Sequence, residues 1–133
     1  MISSYSDLIQ ASRSQQEAQR LLFVFCRAEL PDEASDEEKA AFERGEGGAL
    51  TPVICVDKTP DEAPDFQTLV EESRTTGQAW DVVFIAAMSG RGGMAPSTDE
   101  AQQPLTMMVE SIRLGHIGNY LPLDAEGNAV SLG

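Results

Sequence analysis

Three stretches of the chain are almost wholly apolar: Leu21–Cys26 (LLFVFC), Leu50–Val56 (LTPVICV) and Trp80–Met88 (WDVVFIAAM). A strand with one face in water alternates apolar and polar residues with period two. None of these runs does, so each reads as a strand covered on both faces, the pattern of a parallel sheet. Arg27 and Pro31 close the first run, and Asp57 and Lys58 follow the second. Pro52 has no N–H to give a ladder, which puts it near the strand start or at an unpaired position. A fourth run, Ile117–Leu123, contains Pro122 and is assigned to a sheet edge for the same reason.

Between the strands the period changes to that of a helix. Tyr5, Leu8, Ile9 and Ser12 share one helical face behind Ser4 and Asp7, with a fraying Ser/Gln-rich end over 12–19. Ser35 and Glu38 form a capping box for a short exposed helix over about 36–44, with Ala40, Ala41 and Phe42 as a weak apolar face and Gly45 as its stop. Thr59, Pro60 and Glu62 resemble a helix start, although Pro64 offers a later first turn. Phe66, Leu69 and Val70 then make a stripe that Gly77 ends. Ser97 and Glu100 cap a helix from Thr98, Pro104 predicts a kink, and Leu105, Met108, Val109 and Ile112 form its apolar stripe up to Gly115.

The order α-β-α-β-α-β-α-β predicts an α/β fold. It comprises about four mostly parallel strands flanked by helices, in a single layered domain over 1–133. The alternative is a mixed sheet with one antiparallel edge strand. Composition agrees with a packed domain. Of 133 residues, 41% are hydrophobic and 23% charged, and a chain of this length buries roughly two thirds of its unfolded surface.

Charge narrows the partners. Twenty-two acids against nine bases give a net charge of −13, which repels nucleic-acid phosphates and anionic lipid, so neither is expected as a partner. The N-terminus shows no basic start followed by an apolar stretch, and Val82–Met88 is too short to span a bilayer, so the cytoplasm is the expected compartment. Cys26 and Cys55 sit inside apolar runs and are expected to be buried thiols; they can pair only if their strands are neighbours in a suitable register. The single histidine, His116, lies just past a helix end, where it favours the helix dipole. With two separated cysteines it makes no metal set, and no cofactor is expected.

In a parallel sheet, ligands bind beyond the carboxyl ends of the strands. Those ends would carry Arg27, then Asp57 and Lys58, then Ser89, Gly90, Arg91, Gly92 and Gly93, with Ser97 opening the next helix. Three of nine bases would thus meet a glycine-rich loop and a helix N-terminus, both suited to a carboxylate or phosphate. The competing reading is a tight turn that needs glycine, with charges marking where strands leave the core. SGRGG is neither a Walker A loop nor GxGxxG. Ser89 has no evident histidine base and no GxSxG occurs. Acid pairs Glu37/Glu38 and Glu71/Glu72 read as solvated helix faces, and Met107 and Met108 as core.

QRLLFVFCRAELP, EGGALTPVICVDKTP and MSGRGG together resemble a small proteobacterial family often labelled "ribonucleotide reductase subunit alpha", from SYSDLIQ to IGNYLPLD. Reductase chemistry calls for a radical-bearing cysteine and a redox cysteine pair in a barrel several times this length, so the resemblance transfers no catalytic residue.

The leading expectation is a non-catalytic protein binding a small anionic ligand or a partner at the 27/57–58/89–93 edge. A second is a protein-interaction module whose acidic 29–46 segment meets a basic partner. A third is a small enzyme acting on a phosphorylated or carboxylated metabolite through Lys58 or Asp57.

Overall fold

The apolar run that begins at Leu21 is the centre of the sheet. In the structure, a computed structural model describing residues 4–29, 35–43 and 49–130, it extends to β1, Gln19–Glu29. The expectations for Pro31, Gly45 and the Phe42 side chain lie outside the described residues. β1 is flanked by β2 (Ala49–Lys58) and β3 (Val82–Ser89), and a short β4 (Leu121–Asp124) lies outside β3, giving the order β2-β1-β3-β4.

Every neighbouring pair is antiparallel, which overturns the mostly parallel expectation. The reason lies in what a continuous apolar run reports. Leu21, Phe23, Phe25, Val83, Ile85 and Leu123 pack beneath α1 (Tyr5–Arg13) and α3 (Phe66–Arg74). Leu22, Val24, Cys26, Val82 and Phe84 pack beneath α4 (Thr98–Arg113) on the other face. Helices on both faces make the strands apolar throughout, whatever their direction. A parallel β1–β2 pair would also need a helix docked on the sheet as its crossover. The helix between them, α2 (Asp36–Glu43), contributes no described residue to either core.

Local signals place most elements. Ser4 Oγ accepts from Asp7 N–H at 3.2 Å and caps α1. The Tyr5 hydroxyl donates to the Ala63 carbonyl and ties α1 to the segment before α3. α3 starts at Asp65 rather than Thr59: Asp65 Oδ1 accepts from Thr68 N–H at 2.8 Å, while Thr59 and Glu62 close a turn of their own. The Ser97/Glu100 capping box opens α4 as expected, and Pro104 sits within one continuous helix. Pro52 falls at a bulge where the β1–β2 register shifts, leaving Val53 as the extra residue. Residues 117–120, read as strand, form a turn ahead of β4.

Two residues differ from the core expected for them. Cys26 is buried, but Cys55 is exposed. Met108 is buried, whereas Met107 points to solvent at 61% exposure.

Candidate functional site

Strand directions decide which of the nine candidate residues meet. β2 and β3 both run opposite to β1, so both end at the edge where β1 begins; Gln19 faces Ser89 and Leu21 faces Lys58. Asp57, Lys58, Ser89 and the loop after it therefore share one edge. Arg27 does not. It lies eight residues further along β1, roughly 26 Å away at the rise of a strand. Its guanidinium donates from Nε and Nη2 to the Ala79 carbonyl at 3.3 Å each, and Nη1 lies 3.9 Å from Glu29. The antiparallel order thus removes Arg27 from the expected cluster.

Asp57 and Lys58 are separated by a simpler rule. Successive strand residues point to opposite faces. Asp57 faces the α4 side, where its Oδ2 accepts from Arg20 Nε at 2.6 Å and from Thr98 Oγ1 at 3.0 Å. Lys58 faces the α3 side and pairs with Glu72 at 2.7 Å. Neighbours in sequence, they do not converge on one ligand.

Arg20 was not singled out in the sequence, yet it organises this corner. Besides Asp57, it donates from Nη2 to Thr98 Oγ1 at 2.7 Å and from Nη1 to the Pro96 carbonyl at 3.3 Å. The Arg20 and Asp57 side chains are only 11% and 10% exposed. Together they join the start of β1, the end of β2 and the N-terminus of α4. A charge opening an apolar run and an acid closing the next were the available signal. Pairing them requires the antiparallel register.

The glycine-rich loop is a tight turn. Arg91 and Met94 exchange main-chain hydrogen bonds of 3.0 and 3.1 Å across Gly92 and Gly93, whose φ values are +60° and +82°. Two consecutive positive φ values are the type I′ pattern, which favours glycine at both positions. Gly90 is required for a different reason: a Cβ there would lie 1.8 Å from the Met94 carbonyl oxygen. The loop's N–H groups are largely occupied. Gly90 N–H donates to the Ala18 carbonyl at 2.8 Å, and Gly93 N–H donates to Glu17 Oε2 at 3.1 Å. Ser89 Oγ accepts from Gln19 Nε2 at 2.9 Å, and Ser97 Oγ is engaged in its capping box.

A depression of about 310 Å³ opens beside this loop, lined among others by Ser12, Arg13, Glu17, Gln19, Asp61 and Ala95. Its base, Arg13, is 3.2 Å from Asp61. Arg13, Arg20 and Lys58 are therefore each matched by a carboxylate of the protein itself, while Arg91 is exposed with no described carboxylate at ion-pair distance.

The thiols are close, because Val24 faces Cys55 and Cys26 follows on the same face. Burial, with a smaller effect of Cys55, pushes the Cys26 thiol up to about 12. Burial also raises Cys55, against the opposing pull of Arg113. Among the described residues no group of three or more His, Cys, Asp or Glu is gathered as for a metal ion, and no helix is long and apolar enough to cross a membrane.

No family model, curated protein or solved structure matches this chain.

Proposed function

We propose that the chain is a protein-interaction module that meets a basic partner through its acidic 29–46 segment. The observation that carries this reading is the placement of α2. It bears Asp36, Glu37, Glu38 and Glu43 against Lys39, and its described side chains are exposed except for the half-buried Ala41. A helix of eight residues does not persist on intrinsic propensity alone. α2 carries a capping box: Ser35 Oγ accepts from Glu38 N–H at 3.1 Å and Glu38 Oε1 from Ser35 N–H at 3.3 Å. It thus presents acid to solvent, with none of its described side chains in either core.

The matched charges at the sheet edge also favour this reading over a small anionic ligand. A phosphate reaching beyond the exposed Arg91 would have to displace Asp57 from Arg20, Glu72 from Lys58 or Glu17 from Gly93. Each exchange trades one anion for another on a chain of net charge −13.

Backbone NMR separates the two readings. With octalysine as the probe, amide shifts are expected to concentrate on 36–43 and to fade as salt rises, because exposed charge pairs are screened. Shifts spread evenly over all acidic surfaces would refute a defined interaction segment. In a parallel titration with inorganic phosphate, shifts at Gly90–Gly93 and Lys58 would instead favour the anion site.

A further inference from the structure

The two edges of the sheet are unlike. β4 has four residues, and the chain's own tail occupies its outer side. Ala129 bridges Leu123, Val130 N–H donates to the Pro122 carbonyl at 3.1 Å, and Asp124 N–H donates to Asn128 at 2.9 Å. β2 has ten residues and is outermost at the other side. Among the described residues no main-chain group bonds to its outer edge. Its described side chains are partly buried or, at Cys55, exposed, while Leu21–Cys26 of β1 beside it are buried.

An unpaired strand edge is satisfied by another strand. Two features discourage this along the first half of β2: Pro52 lacks an N–H, and the bulge at Val53 interrupts the ladder. The second half, Ile54–Lys58, is regular. Its two charges are already matched, Asp57 by Arg20 and Lys58 by Glu72, so a strand laid along it strands no charge.

We propose that Ile54–Lys58 pairs antiparallel with the same segment of a second copy across a two-fold axis, joining two four-stranded sheets into one. A segment paired with itself uses the same patch on both partners. The blocked β4 edge then stops growth at two copies. Self-association of a chain with net charge −13 requires a contact through neutral surface, and this segment is one. Pairing over five residues makes a small interface, of the weak and transient class. Salt strengthens it by screening the repulsion between copies, the opposite of its effect on a basic partner at α2. The two proposals therefore fail separately.

Exposed Cys55 lies within the segment and reports on it. The pairing centres on Val56 and sets the two Cys55 residues diagonal to one another, each opposite Asp57 of the other copy. Diamide takes the two hydrogens released as two thiols become one disulfide and is reduced to the hydrazine.

The test is sedimentation velocity under reducing conditions from about 5 µM to about 0.5 mM, a hundredfold span matched to weak affinity. It is run at low salt and at about 0.5 M salt, with circular dichroism confirming that each variant is folded. Wild type is expected to dimerise as concentration and salt rise, and Val56→Lys, which sets two like charges on the axis, to stay monomeric. Diamide is then expected to yield a dimer linked through Cys55 in wild type and in Cys26→Ala. A wild type monomeric throughout, a dimer retained by folded Val56→Lys, or a disulfide confined to Cys26–Cys55 within one chain would overturn the proposal.

Discussion

Arg20→Met tests whether the corner joining β1, β2 and α4 is a structural lock or a set of groups held ready for a ligand. The substitution keeps the length of the side chain and removes four interactions. These are the 2.6 Å bond to Asp57 and those to Thr98 and Pro96, together with the charge that balances Asp57. Asp57 would be left about 10% exposed, with Thr98 Oγ1 as its remaining donor. Removing one partner of a buried pair costs about 3–5 kcal/mol, and the residual exposure here places the loss near the lower figure, about 3 kcal/mol. For a domain of this size that lowers Tm by about 12 °C. The double variant Arg20→Met/Asp57→Asn removes the stranded charge and should recover at least half of the loss. Urea unfolding of wild type, Arg20→Met, Asp57→Asn and the double variant gives the coupling energy directly. A loss below about 1 kcal/mol for Arg20→Met would place the pair among ordinary surface ion pairs and refute the lock. A pair poised for ligand exchange would give that small loss.

Two further substitutions probe the edge and its neighbouring helix. Gly90→Ala should destabilise by about 3 kcal/mol or more, because its Cβ meets the Met94 carbonyl oxygen, a backbone atom that cannot swing aside. Gly92→Ala, with open space around it and only the positive φ to bear, should cost about 1 kcal/mol; thermal melts that rank the two in reverse would contradict the turn geometry. Asp65→Ala should destabilise α3 as a lost N-cap. The Thr68 backbone N–H bond, then its hydroxyl, hold the Asp65 carboxyl below its ordinary 3.8, so the native state favours the ionised form. That contribution is complete above the unfolded-state value and disappears as pH falls through the lower folded one. The difference in stability between wild type and Asp65→Asn, followed by denaturant titration from neutral pH down through pH 3.8, should accordingly shrink on the acid side; a difference independent of pH would remove the carboxylate from the cap.

Elements whose signal is local were legible in the sequence. Ser97 and Glu100 are three residues apart, and the capping box they form needs no knowledge of the rest of the chain. The same holds for Ser35 with Glu38 and for the apolar face of α4. Strand direction was not legible, because LLFVFC records that Leu21–Cys26 is covered on both faces and nothing about which way its neighbours run. The connection between β1 and β2 held the missing information. A crossover helix must lose a face to the sheet, and α2, acid-rich and only weakly apolar, has little face to lose.

The direction of β1 also decides what the basic residues can do together. Were all three strands parallel, Arg27, Lys58 and Arg91 would leave the sheet at one edge and sum into a field for an anion. With β1 reversed, Arg20 takes the place at that edge that Arg27 was expected to hold, at the opposite end of the same strand. Arg20 sits two residues before Leu22 on the α4 face, and Leu22 is the residue that faces Asp57. An arginine so placed meets an acid of its own chain before it meets solvent. The charge that would have recruited a ligand instead fastens the first strand to the last turn of the second and to the start of α4. What folding leaves unpartnered, among the described residues, is Arg91, an acidic helix with no described residue in either core, and the outer edge of β2.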